Sequence, residues 1–340
     1  MDITSVNWFQ KVYTGLILLF FMDLFDLVVE KMGSDDNLRV LTNLKTSKKF
    51  SEEAHAQALA IHNVLNEIKI VFSKTNSPWK RKLAEHTKLS VKETTIKDWF
   101  LARASISFSE LNKISKLGNT EQAEVISKNC NYFCTKTSSS AKFPRELSPD
   151  LAWLVAAILC DGHLCPNGSG LAFEVGDLAL ANVFSSKINI VFESKCMKIR
   201  EINRIGRNTT YMFDLSNKPV CHFFNKIFEI PFGKKCAIIG VSGLIKNSTP
   251  EIKKAFLKGV FDTDGGKRGG GLGLTSLSER FVDDVSELLK EFGINPHKES
   301  WLNKKYQKKC FGSRFKIDAN SMFLIRRQNE IVPKNNAGVG

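Results

Sequence analysis

Two short apolar runs, each ending in Asp-Gly, stand out in the hydrophobic pattern of the chain. They occupy residues 154–162 (LVAAILCDG) and 257–265 (LKGVFDTDG). Their spacing predicts two helices, and glycine is the favoured residue just past a helix C-terminus. Each predicted helix therefore ends with one carboxylate, Asp161 in the first and Asp264 in the second.

Small side chains recur four residues apart within each run. Ala156 and Cys160 form such a pair in the first run, and Gly259 and Thr263 form one in the second. Residues four apart lie on the same face of a helix, so each helix carries a row of small side chains. Such rows allow close approach of two backbones. We expect the two helices to pack along these rows and to bring their terminal carboxylates side by side.

The elements predicted after each run follow the same order of strand, helix, hairpin and helix. In the first copy the strand is 171–175, the helix 178–192, the hairpin 197–202 with 210–215, and the last helix 220–230. In the second copy the strand is 270–275, the helix 279–292, the hairpin 298–303 with 314–317, and the last helix 321–331. Asp161 and Asp264 are 103 residues apart, and the prolines that close the last helices, Pro231 and Pro333, are 102 apart. Matched spacing over a whole unit indicates an internal duplication.

The N-terminal part of the chain has a helical pattern. Helices are predicted over 7–32 and over 52–73, where Ser51 is a plausible N-cap, and the polar stretch between Met32 and Phe50 is interpreted as a loop. Residues 118–147, rich in Ser, Thr and Lys, are interpreted as a linker.

Residues 78–117 resemble a helix-turn-helix of the phage-repressor kind. The first helix ends near Thr87, and the second carries Thr94, Thr95 and Lys97 outward. In such motifs the second helix enters the major groove of DNA. The alternative is an ordinary three-helix bundle with a solvated basic face.

The charge and the cysteine content of the chain limit the candidate binding partners and the cell compartment. The chain has 49 Lys and Arg against 35 Asp and Glu, a net charge of +14, which favours a polyanionic partner. Nucleic acid is the first candidate and an anionic membrane surface the second. Eight cysteines without paired CxxC spacing predict reduced thiols and a cytoplasmic protein. The apolar run 16–22 is far shorter than the roughly 20 residues of a membrane-spanning helix, so a buried amphipathic helix is expected there. Of the two candidate partners nucleic acid is preferred, and no membrane partner is expected.

Over about residues 148–338 the chain resembles single-chain, two-repeat LAGLIDADG homing endonucleases, whose signature the two nonamers match. The resemblance implies an α+β fold of two pseudo-symmetric αββαββα repeats, with the nonamer helices at the central interface and each antiparallel sheet in the DNA major groove. An all-α N-terminal region with a helix-turn-helix-like block would precede them. The expected domains are 1–75 (helical region), 76–120 (helix-turn-helix-like), 121–147 (linker), 148–247 (first repeat) and 248–340 (second repeat).

The resemblance also implies that the last acid of each nonamer, Asp161 and Asp264, is the metal ligand. The first copy has Leu159 where the family has its first acid, whereas the second copy keeps Asp262. Residues two apart on a helix face different directions, so Asp262 and Asp264 cannot both point at one site. Divalent metals neutralise a scissile phosphate and activate water, and Mg²⁺ suits a site with one or two carboxylates. Mg²⁺ is therefore the expected cofactor, with Mn²⁺ able to substitute.

Lys267 is the candidate for a further catalytic group. It lies three residues after Asp264, and similar enzymes use a basic residue near the site, although a solvated loop lysine is the plainer interpretation. No lysine follows Asp161 at this spacing, where His163 is interpreted as a side chain at the start of a strand. This asymmetry predicts that the two DNA strands are cut at unequal rates.

Basic side chains concentrate in the two predicted hairpins and are the candidate DNA contacts. They are Lys198, Arg200, Arg204 and Arg207 in the first hairpin, and Lys304, Lys305, Lys308, Lys309, Arg314 and Lys316 in the second. Glu201 is the lone acid in the first group. Matched basic hairpins are typical of ribbons that follow a DNA groove, and the alternative is a solvated basic turn in each half.

Three functions remain compatible with these patterns. The first is a site-specific endonuclease that acts as a monomer on a long double-stranded DNA target. The second is a regulator that binds DNA but has lost cleavage, a loss expected to show as a missing acid, whereas both acids are present. The third is a maturase acting on intron RNA. An intein is not expected, because residue 1 offers no nucleophile and the last residues contain no His-Asn pair.

Overall fold

The computed structural model describes eight stretches of the chain: residues 24–32, 38–73, 79–89, 91–135, 139–194, 198–268, 270–304 and 307–325. Several predictions therefore lie wholly or partly outside the described residues. Among them are the beginning of the 7–32 helix with the apolar run 16–22, the start of the predicted strand 197–202, the DNA contact Lys305, and the end of the last helix with Pro333. Within the described stretches, no helix is both long enough and apolar enough to cross a membrane.

The N-terminal region is mainly helical, but it is not all-α as expected, because it also contains a small sheet. Its helices are α1 (Leu24–Met32), α2 (Leu44–Phe50), α3 (Glu52–Ser73), α4 (Trp79–Thr87), α5 (Glu93–Phe100), α6 (Phe108–Ser115) and α7 (Thr120–Lys128). Its strands are β1 (Arg39–Val40), β2 (Ile106–Ser107), β3 (Tyr132–Cys134) and β4 (Ser140–Lys142), in the antiparallel order β2-β1-β3-β4.

This sheet shows that the predicted divisions at 75/76 and 120/121, the loop between Met32 and Phe50, and the linker at 121–147 are wrong. Val40 pairs with both Ile106 and Phe133, so one sheet joins segments assigned to three domains. The side chain of Gln57, buried in α3, accepts the backbone N–H of Asn131 at 2.7 Å and of Tyr132 at 2.9 Å. The polar composition of 118–147 reflects the solvent-facing sides of short elements. Composition alone does not reveal the few buried residues that hold them in place.

The first repeat has the predicted αββαββα order. It consists of α8 (Pro149–Cys160), β5 (Gly162–Leu164), β6 (Leu171–Val175), α9 (Leu178–Phe192), β7 (Arg200–Ile202), β8 (Thr210–Leu215) and α10 (Lys218–Phe228), with strand order β5-β6-β8-β7. Phe184 of α9 stacks on Phe173 of β6 at 4.2 Å between ring centroids and meets Phe213 of β8 edge-on at 5.2 Å. One face of the sheet is therefore covered by α9.

The second repeat has the same order and strand arrangement. A short helix, α11 (Gly243–Lys246), leads into α12 (Pro250–Thr263), β9 (Gly266–Arg268), β10 (Gly271–Ser276), α13 (Glu279–Glu291), β11 (His297–Asn303), β12 (Lys308–Phe315) and a 3₁₀ helix (Ala319–Leu324), with strand order β9-β10-β12-β11. The α+β fold with two matching repeats is confirmed. The edge strands β5 and β9 carry no alternating apolar pattern of their own, and the predicted strand at 314–317 is longer and starts at Lys308.

The N-terminal region packs directly on the first repeat. Asn217 donates its side-chain N–H to the Ser140 carbonyl at 2.8 Å, and the Tyr132 hydroxyl donates to Glu193 at 2.7 Å. Phe143 lies 5.1 Å from Phe223 between ring centroids. These buried contacts join the two parts in one continuous hydrophobic core.

Candidate functional site

Asp161 and Asp264 are the C-cap residues of α8 and α12. Their backbone N–H groups close the two helices by donating to Ala157 at 3.0 Å and to Val260 at 2.9 Å. The glycines that follow do not adopt the left-handed conformation that usually explains such a residue. A Cβ at Gly162 would lie 2.8 Å from a backbone atom of α8, and one at Gly265 would lie 2.4 Å from a backbone oxygen of α12. Glycine is needed there because the next strand turns back against its own helix.

The rows of small residues lie between α8 and α12. A Cβ on Gly259 would lie 2.8 Å both from the Ala156 Cβ and from the carbonyl oxygen of Trp153. One turn further along, Thr263 donates its hydroxyl to the Gly259 carbonyl at 2.8 Å and also forms a hydrogen bond with the Cys160 thiol. The missing side chain at Gly259 thus allows the backbones to approach, and this approach brings the two helix ends together.

The two carboxylates lie in one electrostatic environment. Burial, and then the charge of Asp264, raise the pKa of Asp161 to about 6, although Lys235 acts in the opposite direction. Burial also raises the pKa of Asp264, against a hydrogen bond from the Cys160 thiol and the charge of Lys235. Both carboxylates are half-buried. A further positive charge, in addition to that of Lys235, would offset the free-energy cost of burying the two carboxylates and of their mutual repulsion.

Lys235 is a site residue that the sequence pattern did not reveal. It follows α10, is only 6% exposed, and donates its ammonium to the carbonyl oxygens of Leu159 and, at 2.8 Å, Cys160. Those carbonyls end α8, where the helix dipole favours a cation. Burial lowers the pKa of Lys235, while nearby Cys160, Cys236 and the two carboxylates raise it. The residue lies 74 positions after Asp161 in an irregular segment, so no periodic signal links the two.

Lys267 and His163 lie on the edge strands that follow the two carboxylates. Lys267 is exposed on β9, opposite Leu272, and His163 is exposed on β5, opposite Ala172. Among the described residues, no ion pair or hydrogen bond joins Lys267 to Asp161 or Asp264. The structure thus brings Lys235, rather than Lys267, into contact with the helix end that carries a carboxylate.

The donor atoms at the helix ends suit a hard divalent cation. No group of three or more His, Cys, Asp or Glu side chains with metal-binding geometry occurs in the part of the chain that the structure describes. The chain would therefore supply the two aspartate carboxylates, with water or substrate oxygens completing the shell. Mg²⁺ is usually bound in this way, by one or two carboxylates together with water and phosphate oxygens.

The basic residues of the first hairpin are partly paired with acids from neighbouring strands. Arg204 binds both carboxylate oxygens of Glu174, and Arg200 binds Asp214. The hydrogen bonds from Arg204 and Thr210 hold the pKa of Glu174 at about 2. Glu201 is the only acid between Lys198 and Arg207, but β6 and β8 each place a further carboxylate, Glu174 and Asp214, beside the arginines. Exposed Lys198 and Arg207 lie outside these pairs.

The second hairpin divides its basic residues between two faces. The register places Lys308 and Arg314 on the face opposite α13, and Arg314 lies 3.6 Å from Glu299. Lys309 lies on the other face, with its ammonium 4.9 Å from the centroid of the Phe311 ring. Lys304 and Lys316 are exposed beyond the ends of the strands.

The helix-turn-helix-like block has the predicted order of helices, α4, α5 and α6. Thr94 and Lys97 are exposed on α5, and Thr95 is half-buried. Trp99 on the opposite side of α5 is buried. The outward face of α5 is therefore polar and includes one lysine, but α5 also carries partly exposed Glu93 and Asp98. This pattern fits a DNA-contacting helix and an ordinary solvated helix equally.

Comparison with known proteins agrees with this architecture. Residues 251–332 match the family model of the LAGLIDADG-like domain. Over 125 residues the chain is 27% identical to the probable translation initiation factor IF-2 of Thermococcus kodakarensis, a match covering 35% of this chain and 11% of that protein. The chain thus spans about a tenth of the length of that relative.

Two similar solved structures have low sequence identity to the chain. The homing endonuclease I-DmoI in complex with DNA and Mn is 18% identical to the chain, and the superposition has a TM-score of 0.37. The match covers 50% of this chain and 90% of that one. The N-terminal LAGLIDADG domain of DUF199/WhiA is 13% identical to the chain, with a TM-score of 0.37. That match covers 54% of this chain and 85% of the WhiA domain.

Proposed function

We propose that this member of the LAGLIDADG family is a site-specific, metal-dependent endonuclease for double-stranded DNA. The observation that carries the proposal is the placement of Asp161 and Asp264. They end two closely packed, duplicated helices, and each carboxylate is destabilised by burial. Two acids provided by one chain, one from each repeat, suit two cuts, one in each strand.

Asp161 and Asp264 would hold the divalent cation. We expect Mg²⁺, with Mn²⁺ able to replace it. When bound, the cation neutralises charge on the scissile phosphate and lowers the pKa of a bound water. The carboxylates themselves would hold the cation at the helix ends, where the negative end of each dipole would add to the attraction.

Lys235 supplies fixed positive charge beside the same site. Its ammonium is held by two main-chain carbonyls and acts on both carboxylates. In the proposed enzyme it reduces the repulsion between the carboxylates and lies next to the place where a phosphate would gain negative charge. A preorganised cation of this kind stabilises a transition state without reorganisation.

Duplex DNA is the proposed substrate because basic side chains are spread along both hairpins. The net charge of +14 favours association with a polyanion. The sheet faces opposite α9 and α13 would follow the major groove, and the outward face of α5 would extend the contact along the duplex.

Selection of cleaved sites from a randomised duplex library in Mg²⁺ tests this function. We expect the wild-type chain to cut a defined site, and Asp161→Asn and Asp264→Asn to bind the same site without cutting it. Lys298→Gln is a suitable control, since Lys298 pairs with Asp283 of α13 on the helix side of the second sheet. Binding of a defined site with no cleavage by the wild type would replace the nuclease with a DNA-binding regulator.

The contribution of α5 is tested with the full chain, because the N-terminal region shares its core with the first repeat. Thr94→Ala/Lys97→Ala should weaken binding of the selected site. Lys128→Ala on α7, which breaks an exposed pair with Glu124, should leave it unchanged. Equal affinities for all three proteins would show that α5 does not touch DNA.

A further inference from the structure

Two arginine–carboxylate couples lie on the first sheet. In one, the guanidinium of Arg204 binds both oxygens of Glu174, with Nη2 to Oε2 at 3.0 Å, and the Thr210 hydroxyl donates to the same carboxylate at 2.6 Å. In the other, Arg200 binds Asp214. Each pairing uses only some of the five N–H donors of a guanidinium, so each couple holds the remaining donors beside a carboxylate acceptor.

Both couples share one face of the sheet. Glu174 is opposite Met212, and Asp214 is two residues further along β8, opposite Ala172. The alternate residues of the same strands, Phe173 and Phe213, face α9. Both acids therefore point away from the core, on the side proposed to meet DNA.

The spacing of the couples matches that of base pairs. Glu174 and Asp214 lie on the neighbouring strands β6 and β8, and the register offsets them by two residues along the strand direction. This offset is about 6.6 Å, since a strand rises roughly 3.3 Å per residue. Base pairs stack about 3.4 Å apart. A strand aligned with the groove would thus place the two couples about two base-pair steps apart.

The chemistry of each couple matches one kind of base pair. In the major groove guanine offers two acceptors, N7 and O6, and cytosine offers its N4 amino group as a donor. Arginine donates in bidentate fashion to guanine, and Asp or Glu accepts from cytosine N4. The remaining N–H donors of such a guanidinium, together with its partner carboxylate, are therefore complementary to both halves of a G·C pair, whereas a lone arginine matches only the guanine.

We propose that the Arg204–Glu174 and Arg200–Asp214 couples each read one G·C base pair, two steps apart, in the half-site bound by the first repeat. This inference rests on the proposed function, since it requires the sheet to lie in the major groove. The low pKa of Glu174 keeps its carboxylate ionised at neutral pH, so that it can only accept. Mutual pairing also holds the arginines in place before DNA arrives.

Site selection by binding tests the inference separately from cleavage. The full chain is incubated with a randomised duplex library in EDTA, and bound sequences are recovered. We expect a site with two G·C pairs separated by one base pair in one half. Arg204→Lys and Arg200→Lys keep the positive charge but lose the bidentate fork. Each should relax one of the two positions and lower affinity for the wild-type site about tenfold, while non-specific affinity stays the same.

The possible outcomes distinguish the inference from the function on which it rests. Lys298→Gln, which breaks a comparable ion pair on the helix side of the second sheet, should leave base preference unchanged. If both lysine variants keep the wild-type preference, or if no such G·C pairs are selected, the couples merely neutralise the sheet and the inference is overturned. If the selected site is bound but never cut in Mg²⁺, nuclease function fails while the base readout stands. A pool without any preferred sequence overturns both.

Discussion

The indole N–H of Trp153 in α8 donates to the Asp262 carboxylate in α12 at 2.9 Å, across the central helix interface. The duplication relates these positions to Phe256 and Leu159, each 103 residues away. Both of the latter are buried and apolar. The acid is thus present in the copy that faces the indole N–H, and leucine is present in the copy that faces the equivalent phenylalanine.

Trp153→Phe should destabilise the protein by about 1–3 kcal/mol, because it leaves a nearly buried carboxylate short of a hydrogen bond. The Asp262 side chain is only 7% exposed, and its other partner, Lys258, lies 3.4 Å away. Asp262→Leu should cost a similar amount, since it leaves the indole N–H unpaired. The free energy of unfolding, measured by urea denaturation, reports both effects.

The double variant Trp153→Phe/Asp262→Leu provides the control, because it introduces the apolar residues that occupy the duplicated positions, Phe256 and Leu159. We expect it to recover much of the lost stability, giving a coupling energy above about 0.5 kcal/mol. Strictly additive losses would show that the hydrogen bond does not explain the difference between the two nonamers.

Periodic patterns in the sequence predicted most of the duplicated fold. The helix over 178–192 was located to the residue, as was the 52–73 helix with Ser51, whose hydroxyl accepts the Ala54 N–H at 3.1 Å. Strands β1 to β4 were missed because each has only two or three residues, too few to show alternation. Their stability comes from partners distant in the chain, such as Gln57, which sequence spacing does not indicate.

The residues of the candidate site likewise fall into those that the sequence pattern identifies and those that it does not. Asp161 and Asp264 were identifiable because they end two repeated runs, and the role of Gly259 followed from the spacing of small residues. Lys235, Glu174 and Asp214 had no such signal. They reach the site or the sheet face through tertiary folding and strand register, which pair residues between 14 and 76 positions apart.

Gly259→Ala should destabilise the helix interface by about 1–3 kcal/mol, because the new methyl group must displace Ala156 or the backbone of α8. Adding Ala156→Gly should restore part of the loss. Thermal unfolding followed by circular dichroism measures the effect. Gly243→Ala is the matched control, since a Cβ there meets its nearest neighbour only at 4.0 Å. Similar melting temperatures for both alanine variants would contradict close packing at Gly259.

Lys235→Met should slow cleavage of the selected site by about 100-fold or more while leaving DNA binding in EDTA unchanged. The methionine keeps the volume of the side chain but removes the charge beside the carboxylates. Lys234→Met, at an exposed neighbouring position, is the control for general loss of positive charge. Lys267→Met tests, in the same assay, the lysine that the sequence suggests as the further catalytic group. A wild-type cleavage rate in a folded Lys235→Met protein would exclude its proposed role, and urea denaturation confirms that the variant is folded.

The two strands of the target should be cut at unequal rates, because the surroundings of the two carboxylates differ. Cys160 precedes Asp161 whereas Thr263 precedes Asp264, Lys267 follows only the second carboxylate, and Lys235 is held at the end of α8. Electrostatic stabilisation of the two scissile phosphates should therefore differ. On a supercoiled plasmid that carries the selected site, nicked circles should accumulate before linear product. Strand-specific end labels then identify the faster cut, and Lys235→Met should change the ratio of the two rates. Equal rates in the wild-type protein, with no accumulation of nicked circles, would show that the different surroundings of the two carboxylates do not affect the rate of strand cleavage.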